Sequence, residues 1–339
     1  MFSKKTGLIA AIILCVNPFH LYYSQEARPY VFFFLFSTLS FFYLIKYLKS
    51  PNRKNAIYYG LISALMICSH FFGFLVLFSQ YLLLLLFFIL SKKENRKDFF
   101  VNSLISGIIA LLFFLPGIKI FIKATEIKQF WIPAPTLDVY TTIFKEFFGN
   151  SELVLPIIGF IIFIYFLNLL KEKDSKFSYS SIIENKIIFS FIILVPTIVI
   201  VILIPLIRSY LSIPMIISRY FISLLPAIII IVSIGFSLIN NRILLKGILL
   251  IVVILSLTDI VVVKKYYTNV SKVQFREATS FILKNNKNKD KVVSSLGWYM
   301  PYFLNNGNIK NEIIDKPKLL TTLSLFLLFF NIKLVASLN

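Results

Sequence analysis

Residues 57–90 form a stretch of 34 positions with no Asp, Glu, Lys or Arg. As one α-helix the stretch would extend about 50 Å, well past a hydrocarbon core of about 30 Å. Such a run has to fold back on itself as two spans. The expected break is at residues 69–73, SHFFG, where two polar residues and a glycine separate two spans.

Uncharged apolar runs recur at residues 7–23, 29–45, 99–118, 153–170, 187–207 and 220–239, and a last one at 247–263 is interrupted only by Asp259. Each is near or above the roughly 17 to 25 residues that cross a bilayer as a helix. The chain is 58% hydrophobic and 15% charged, whereas a soluble domain is about half apolar and a quarter charged. The expected fold class is an all-α polytopic membrane protein with about nine transmembrane helices. Past residue 263 the pattern turns polar. Residues 275–283 place Ala278, Phe281 and Ile282 on one helical face, and Val292-Val293 reads as a short strand. The expected organisation is a transmembrane domain over 1–263, a small extracytoplasmic α/β C-terminal segment over 264–318, and an apolar tail over 319–339.

A net charge of +20 on a soluble chain would suggest nucleic acid. Here the basic residues sit in short clusters between apolar runs, which is how membrane topology is encoded. With the N-terminus inside, the inner loops carry sixteen Lys and Arg against seven in the outer loops, the other twelve lying beyond residue 263. The partners expected are membrane lipids and no nucleic acid. Acids, arginines, prolines and aromatics gather in the outer loops, so the working face is expected to be extracytoplasmic. Cys15 and Cys68 fall inside expected spans without metal-type spacing. Residues 7–23 run into Ser24-Gln25-Glu26 without a cleavage pattern, so they read as a true span.

Three outer constellations could carry chemistry. NPFHLYYSQEARPY at 17–30 concentrates Glu26, Arg28 and several aromatics between two spans; it reads either as an interfacial belt in which Glu26 pairs with Arg28, or as part of a site. FWIPAP at 130–135 lies in the long outer loop with Asp138, Glu146 and Glu152, and Trp131 there reads as a headgroup anchor. SRYF at 218–221 opens a span, and Arg219 either snorkels or holds a lipid phosphate through charge-assisted hydrogen bonds. His20 and His70 read as interfacial structural residues.

These residues, with SHFFGFLVLFSQYLLLL at 69–85 and SRYFISLLPAI at 218–228, resemble the membrane glycosyltransferases of family 39. That group includes the protein O-mannosyltransferases and is similar to the aminoarabinose transferases of lipid A, within the C-type superfamily. The resemblance spans most of residues 1–300. It implies a polyprenyl-phosphate sugar donor, and a lipid, glycan or protein acceptor, at the extracytoplasmic face. It implies a catalytic role for Glu26 as the second acid of the site, and substrate-binding roles for Arg28, Tyr30, Arg219 and Tyr220, the arginines near the lipid phosphate. Family members carry their principal catalytic aspartate in an earlier outer loop, yet no Asp precedes Asp98 here. The expectation is a shortened chain whose gene encodes roughly 60 to 120 further residues before Met1.

Two rival readings stand beside this one. A transporter or flippase of lipid-linked sugars would place charge at mid-depth in the spans, which carry almost none. A non-catalytic remnant or subunit would follow from loss of the aspartate loop. The cofactor is unknown, because the sequence presents no metal-ligand cluster.

Overall fold

The computed structural model describes residues 2–126, 132–136, 138–172, 177–270, 274–285, 292–294 and 311–313. The chain divides into two units, residues 1–265 and 266–339.

In the first unit α1 (Lys4–Cys15) and α2 (Pro18–Ser24) meet at a bend of 66°. Pro18 opens α2, where its missing N–H is no loss, and the Asn17 side chain caps that helix by accepting from the His20 N–H at 2.8 Å. Next come α3 (Tyr30–Lys49), α4 (Arg53–Ser69), α5 (Gly73–Leu90) and α6 (Lys93–Phe114). The break within 57–90 therefore falls at residues 70–72, as the sequence reading expected. A 3-10 turn at Leu115–Gly117 leads into α7 (Ile118–Thr125), followed by α8 (Val139–Phe147), α9 (Val154–Lys171) and the short α10 (Tyr179–Glu184). α11 (Lys186–Leu211) continues through Pro196 and Pro205 as one helix. A 3-10 segment (Ser218–Leu224) opens α12 (Leu225–Ser237), and α13 (Arg242–Thr258) ends in a π-helical turn (Asp259–Val263).

Seven of these segments are long and apolar enough to cross a membrane, or eight if α1 and α2 together form one broken span. The chain is a multi-pass membrane protein. The expected ninth span, α4, is shorter at 17 residues and begins with Arg53 and Lys54, so it is not among them. It nevertheless returns along α3: the Asn55 side chain donates to the Ser50 carbonyl just past the end of α3, and the His70 ring meets Tyr30 and Phe33 at its beginning. Close packing of α4 on α6 depends on Gly60, where a Cβ would lie 2.7 Å from the Ser106 carbonyl oxygen.

Polar side chains stitch the apolar bundle. Gln80, fully buried on α5, accepts from Ser40 of α3 at 2.8 Å and Tyr59 of α4 at 2.9 Å. Ser79 donates to Thr197 of α11, and Tyr165 of α9 bonds Ser190 of the same helix. Such bonds average about 0.6 kcal/mol each in a bilayer; their larger effect is on register.

The connections sort to two ends. At one, rings of His70 and Tyr220 meet at 5.1 Å, Phe71 meets Phe121, and the Asn17 side chain donates to the Phe147 carbonyl. At the other, Lys5 donates to the Ser237 carbonyl, the Tyr179 hydroxyl to the Leu48 carbonyl, and Lys49 lies over the Phe189 ring.

The second unit contains α14 (Phe275–Asn285) and two three-residue strands, β1 (Val292–Ser294) and β2 (Asn311–Ile313), paired in parallel with Val292 opposite Asn311. The tail expected at 319–339 and most of the segment expected at 264–318 lie outside the described residues.

Candidate functional site

The link between α2 and α3 is five residues long, and Pro29 shapes it. Proline restricts the residue before it to extended backbone and then serves as the first turn's entry, so α2 cannot run into α3. The Arg28 N–H bonds the Glu26 carbonyl at 2.7 Å, a tight turn that puts both side chains on one side. Arg28 Nε then meets Glu26 Oε1 at 3.2 Å. The pairing foreseen for an interfacial belt is thus present. The other carboxylate oxygen, Glu26 Oε2, is buried and accepts no hydrogen bond.

Tyr30 opens α3 and is buried, its ring edge-on to Tyr23 at 5.4 Å and 5.8 Å from His70. Arg219 comes from the 3-10 turn that opens α12. Its guanidinium lies 5.9 Å from the Tyr30 ring centroid and 6.0 Å from that of Tyr220, on whose hydroxyl its charge also acts. Arg28 is within electrostatic range of the same hydroxyl. All five residues singled out in the sequence therefore gather at one end of the bundle, from two segments far apart in the chain.

The geometry adds three residues. His70, in the α4–α5 break, is the hub of the aromatic cluster: it stacks on Phe33 at 5.0 Å and touches Tyr30, Phe72 and Tyr220. Its Nδ1 accepts the Phe72 N–H at 3.2 Å, which leaves the proton of the neutral ring on Nε2. Burial first, and the nearby Arg219 charge second, push its pKa down to about 4. Glu146 of α8 and Glu26 both act electrostatically on the Tyr23 hydroxyl, as does Arg219, so Tyr23 and a second carboxylate belong to the neighbourhood. The clue in the sequence was position alone: His70 interrupts the longest apolar run, and Glu146 sits in the longest outer loop.

α8 is held in place by a clasp. Asn17 Nδ2 donates to the Phe147 carbonyl at 2.8 Å, and Phe147 packs edge-on to Phe19 at 4.9 Å. Gly149 follows with φ +75°, and a Cβ there would lie 2.7 Å from Pro18 Cγ. The Lys264 ammonium donates to the Gly149 carbonyl and pairs with Asp259 at 2.7 Å. Asp259, the one acid expected inside a span, is thus neutralised locally. Of the FWIPAP loop, Phe130 and Trp131 lie outside the described residues, and Ile132 is buried. Among the described residues no three His, Cys, Asp or Glu side chains converge as metal ligands.

Residues 1–119 match the family model of dolichyl-phosphate-mannose-protein mannosyltransferases. Over this segment, about a third of the chain, the sequence is similar to that family. No curated protein and no solved structure matches it. The matched segment runs from α1 to the start of α7 and carries Glu26, Arg28, Tyr30 and His70. Arg219 and Tyr220, and the motifs at 130–135 and 218–228, lie beyond it. The chain is thus a multi-pass membrane protein whose first 119 residues are similar to that family, and the candidate residues come both from the matched segment and from the rest.

Proposed function

We propose that the chain transfers a sugar from a polyprenyl-phosphate donor to an acceptor hydroxyl at the extracytoplasmic face of the membrane, with inversion at the anomeric carbon. The observation that carries this reading is the placement of Arg219 over the rings of Tyr30 and Tyr220, with the Arg28–Glu26 ion pair in the turn just before Tyr30. Guanidinium forks suit a phosphate, and in a site shielded from water they stabilise the charge that grows as the sugar–phosphate bond breaks. Tyr30 and Tyr220 would orient the donor, their rings already engaging Arg219. Glu26 would receive the acceptor hydroxyl's proton as the acceptor oxygen bonds the anomeric carbon, and the polyprenyl phosphate would leave with the electron pair of the broken bond. In the family this duty falls mainly to an aspartate of an earlier outer loop, so Glu26 is assigned as the second acid.

In this reading the N-terminus is cytoplasmic, α1 and α2 form one broken span, and α4 crosses with α3. That returns about nine crossings and puts the Tyr30 end outside, as the lysine distribution favours. The acceptor class stays lipid, glycan or protein. The test is to supply membranes containing the chain with labelled polyprenyl-phosphate sugars and a membrane lipid extract. Label moving to an acceptor supports the proposal, and label kept wholly on the donor refutes it.

A further inference from the structure

At the end of the bundle opposite the proposed site, the α3–α4 turn encloses an open cleft of about 480 Å³. One wall is apolar, Phe42 and Ile45 of α3; the rim is basic, with Lys46 and Lys49 from the last turn of α3 and Lys54 from the first turn of α4. No carboxylate lines it. We infer that this cleft is a binding site for the phosphate headgroup of an anionic phospholipid, separate from the site proposed for the sugar donor.

Four features point to that ligand. The floor is preorganised: the Asn55 side chain donates to the Ser50 carbonyl at 2.8 Å, while Asn52 accepts the Asn55 N–H at 2.9 Å and donates to Ser50 Oγ at 3.1 Å. Asn52 caps the third amide of α4, and the first N–H groups of a helix, which lack intrahelical acceptors, favour an anion at this end. The lysine ammonium groups lie over aromatic faces, Lys46 over Tyr43 at 5.9 Å and Lys49 over Phe189 at 5.3 Å, which keeps both cations at this end of the bundle. The fourth feature is the apolar wall, since Phe42 is 39% exposed and continues the cleft into the hydrocarbon, where acyl chains would lie. A free phosphate would use the lysines and leave that wall unexplained. Basic pockets between spans are recognised lipid-headgroup sites, and the 20 residues of α3 put this one about 30 Å from Tyr30.

The experiment is native mass spectrometry of the full chain released from nanodiscs of phosphatidylglycerol and phosphatidylcholine in equal parts. The wild type should retain phosphatidylglycerol in preference, and the variant K46Q/K49Q/K54Q should lose at least about two-thirds of that retained lipid. K46Q/K54Q, which keeps Lys49 on Phe189, should lose about half, and this milder variant decides the matter if the triple variant does not fold. A control, K92Q/K93Q at the α5–α6 connection, should retain wild-type amounts. Equal retention of both lipids by the wild type, undiminished retention by K46Q/K54Q, or an equal loss in the control would overturn the inference. So would displacement of the lipid by millimolar inorganic phosphate, which would mark a free-anion site instead.

Discussion

Arg219 presents its guanidinium to the ring of Tyr30 at 5.9 Å, joining the turn that opens α12 to the first residue of α3. The contact brings the segment that matches the family model and the remainder of the bundle to one place. A cation held over aromatic faces is attracted by the ring quadrupoles and partly desolvated.

Arg219→Ala and Arg28→Ala are each expected to cut sugar transfer by about a hundredfold, the scale seen when one preorganised donor to a developing anion is removed. Arg219→Lys should recover little of it, because a point charge does not replace a planar fork. Membrane insertion, read by fractionation, should not change. Wild-type transfer by both alanine variants would remove the phosphate assignment.

Glu26→Gln retains the size and an acceptor for Arg28 but cannot take a proton. Turnover should fall by about 10²- to 10⁴-fold while donor affinity changes less. An unchanged turnover would show that Glu26 serves only its ion pair with Arg28.

His70 is held neutral, with its pKa lowered to about 4 from 6.5. Because the unfolded chain binds that proton more readily, the folded state loses stability as pH falls below about 6.5, and the loss levels off below about 4. The size should be on the order of 2 kcal/mol, discounted for partial exposure. Thermal unfolding in detergent at pH 7.5 and pH 4.5 measures it, and His70→Phe should flatten the difference. A slope that survives the substitution would place the titrating group elsewhere.

Asn17→Ala removes both the α2 cap and the bond to the Phe147 carbonyl. A loss of about 1 to 3 kcal/mol is expected, with transfer reduced because α8 and Glu146 are no longer pinned to α2. Should the variant melt with the wild type, the clasp is not what orders this end.

A cysteine at Ser24 or Thr136, both exposed, should react with an impermeant thiol reagent added outside intact cells. One at Asn52 or Asn95 should react only after permeabilisation. The reverse pattern would invert the topology and move the proposed site to the cytoplasmic face.

Helices and breaks were legible in the sequence because they rest on local physics. Burying polar backbone in lipid leaves helix as the answer for each apolar run. A 34-residue run cannot be one span, so the break at 70–72 followed from length, and the Glu26–Arg28 pair followed from a spacing of two residues in a turn before proline. The number of crossings did not follow, because α4, with only 17 residues and a basic first turn, is placed by packing on α3 and α6 rather than by its own hydropathy.

Which loops meet is a matter of helix order around the bundle, and apolar runs of similar composition do not encode that order locally. The sequence alone determined a helical membrane protein, the positions of its polar loops and the residue types able to handle a phosphate. Only the tertiary structure decided that Arg219 reaches Tyr30, that His70 lies among the aromatics rather than at the edge, and that Asn17 and Gly149 lock α8 beside them. The physical reason is that these contacts depend on close approach between helices, set by small residues such as Gly60 and by a few buried polar bonds. Such terms are local in space and far apart in sequence.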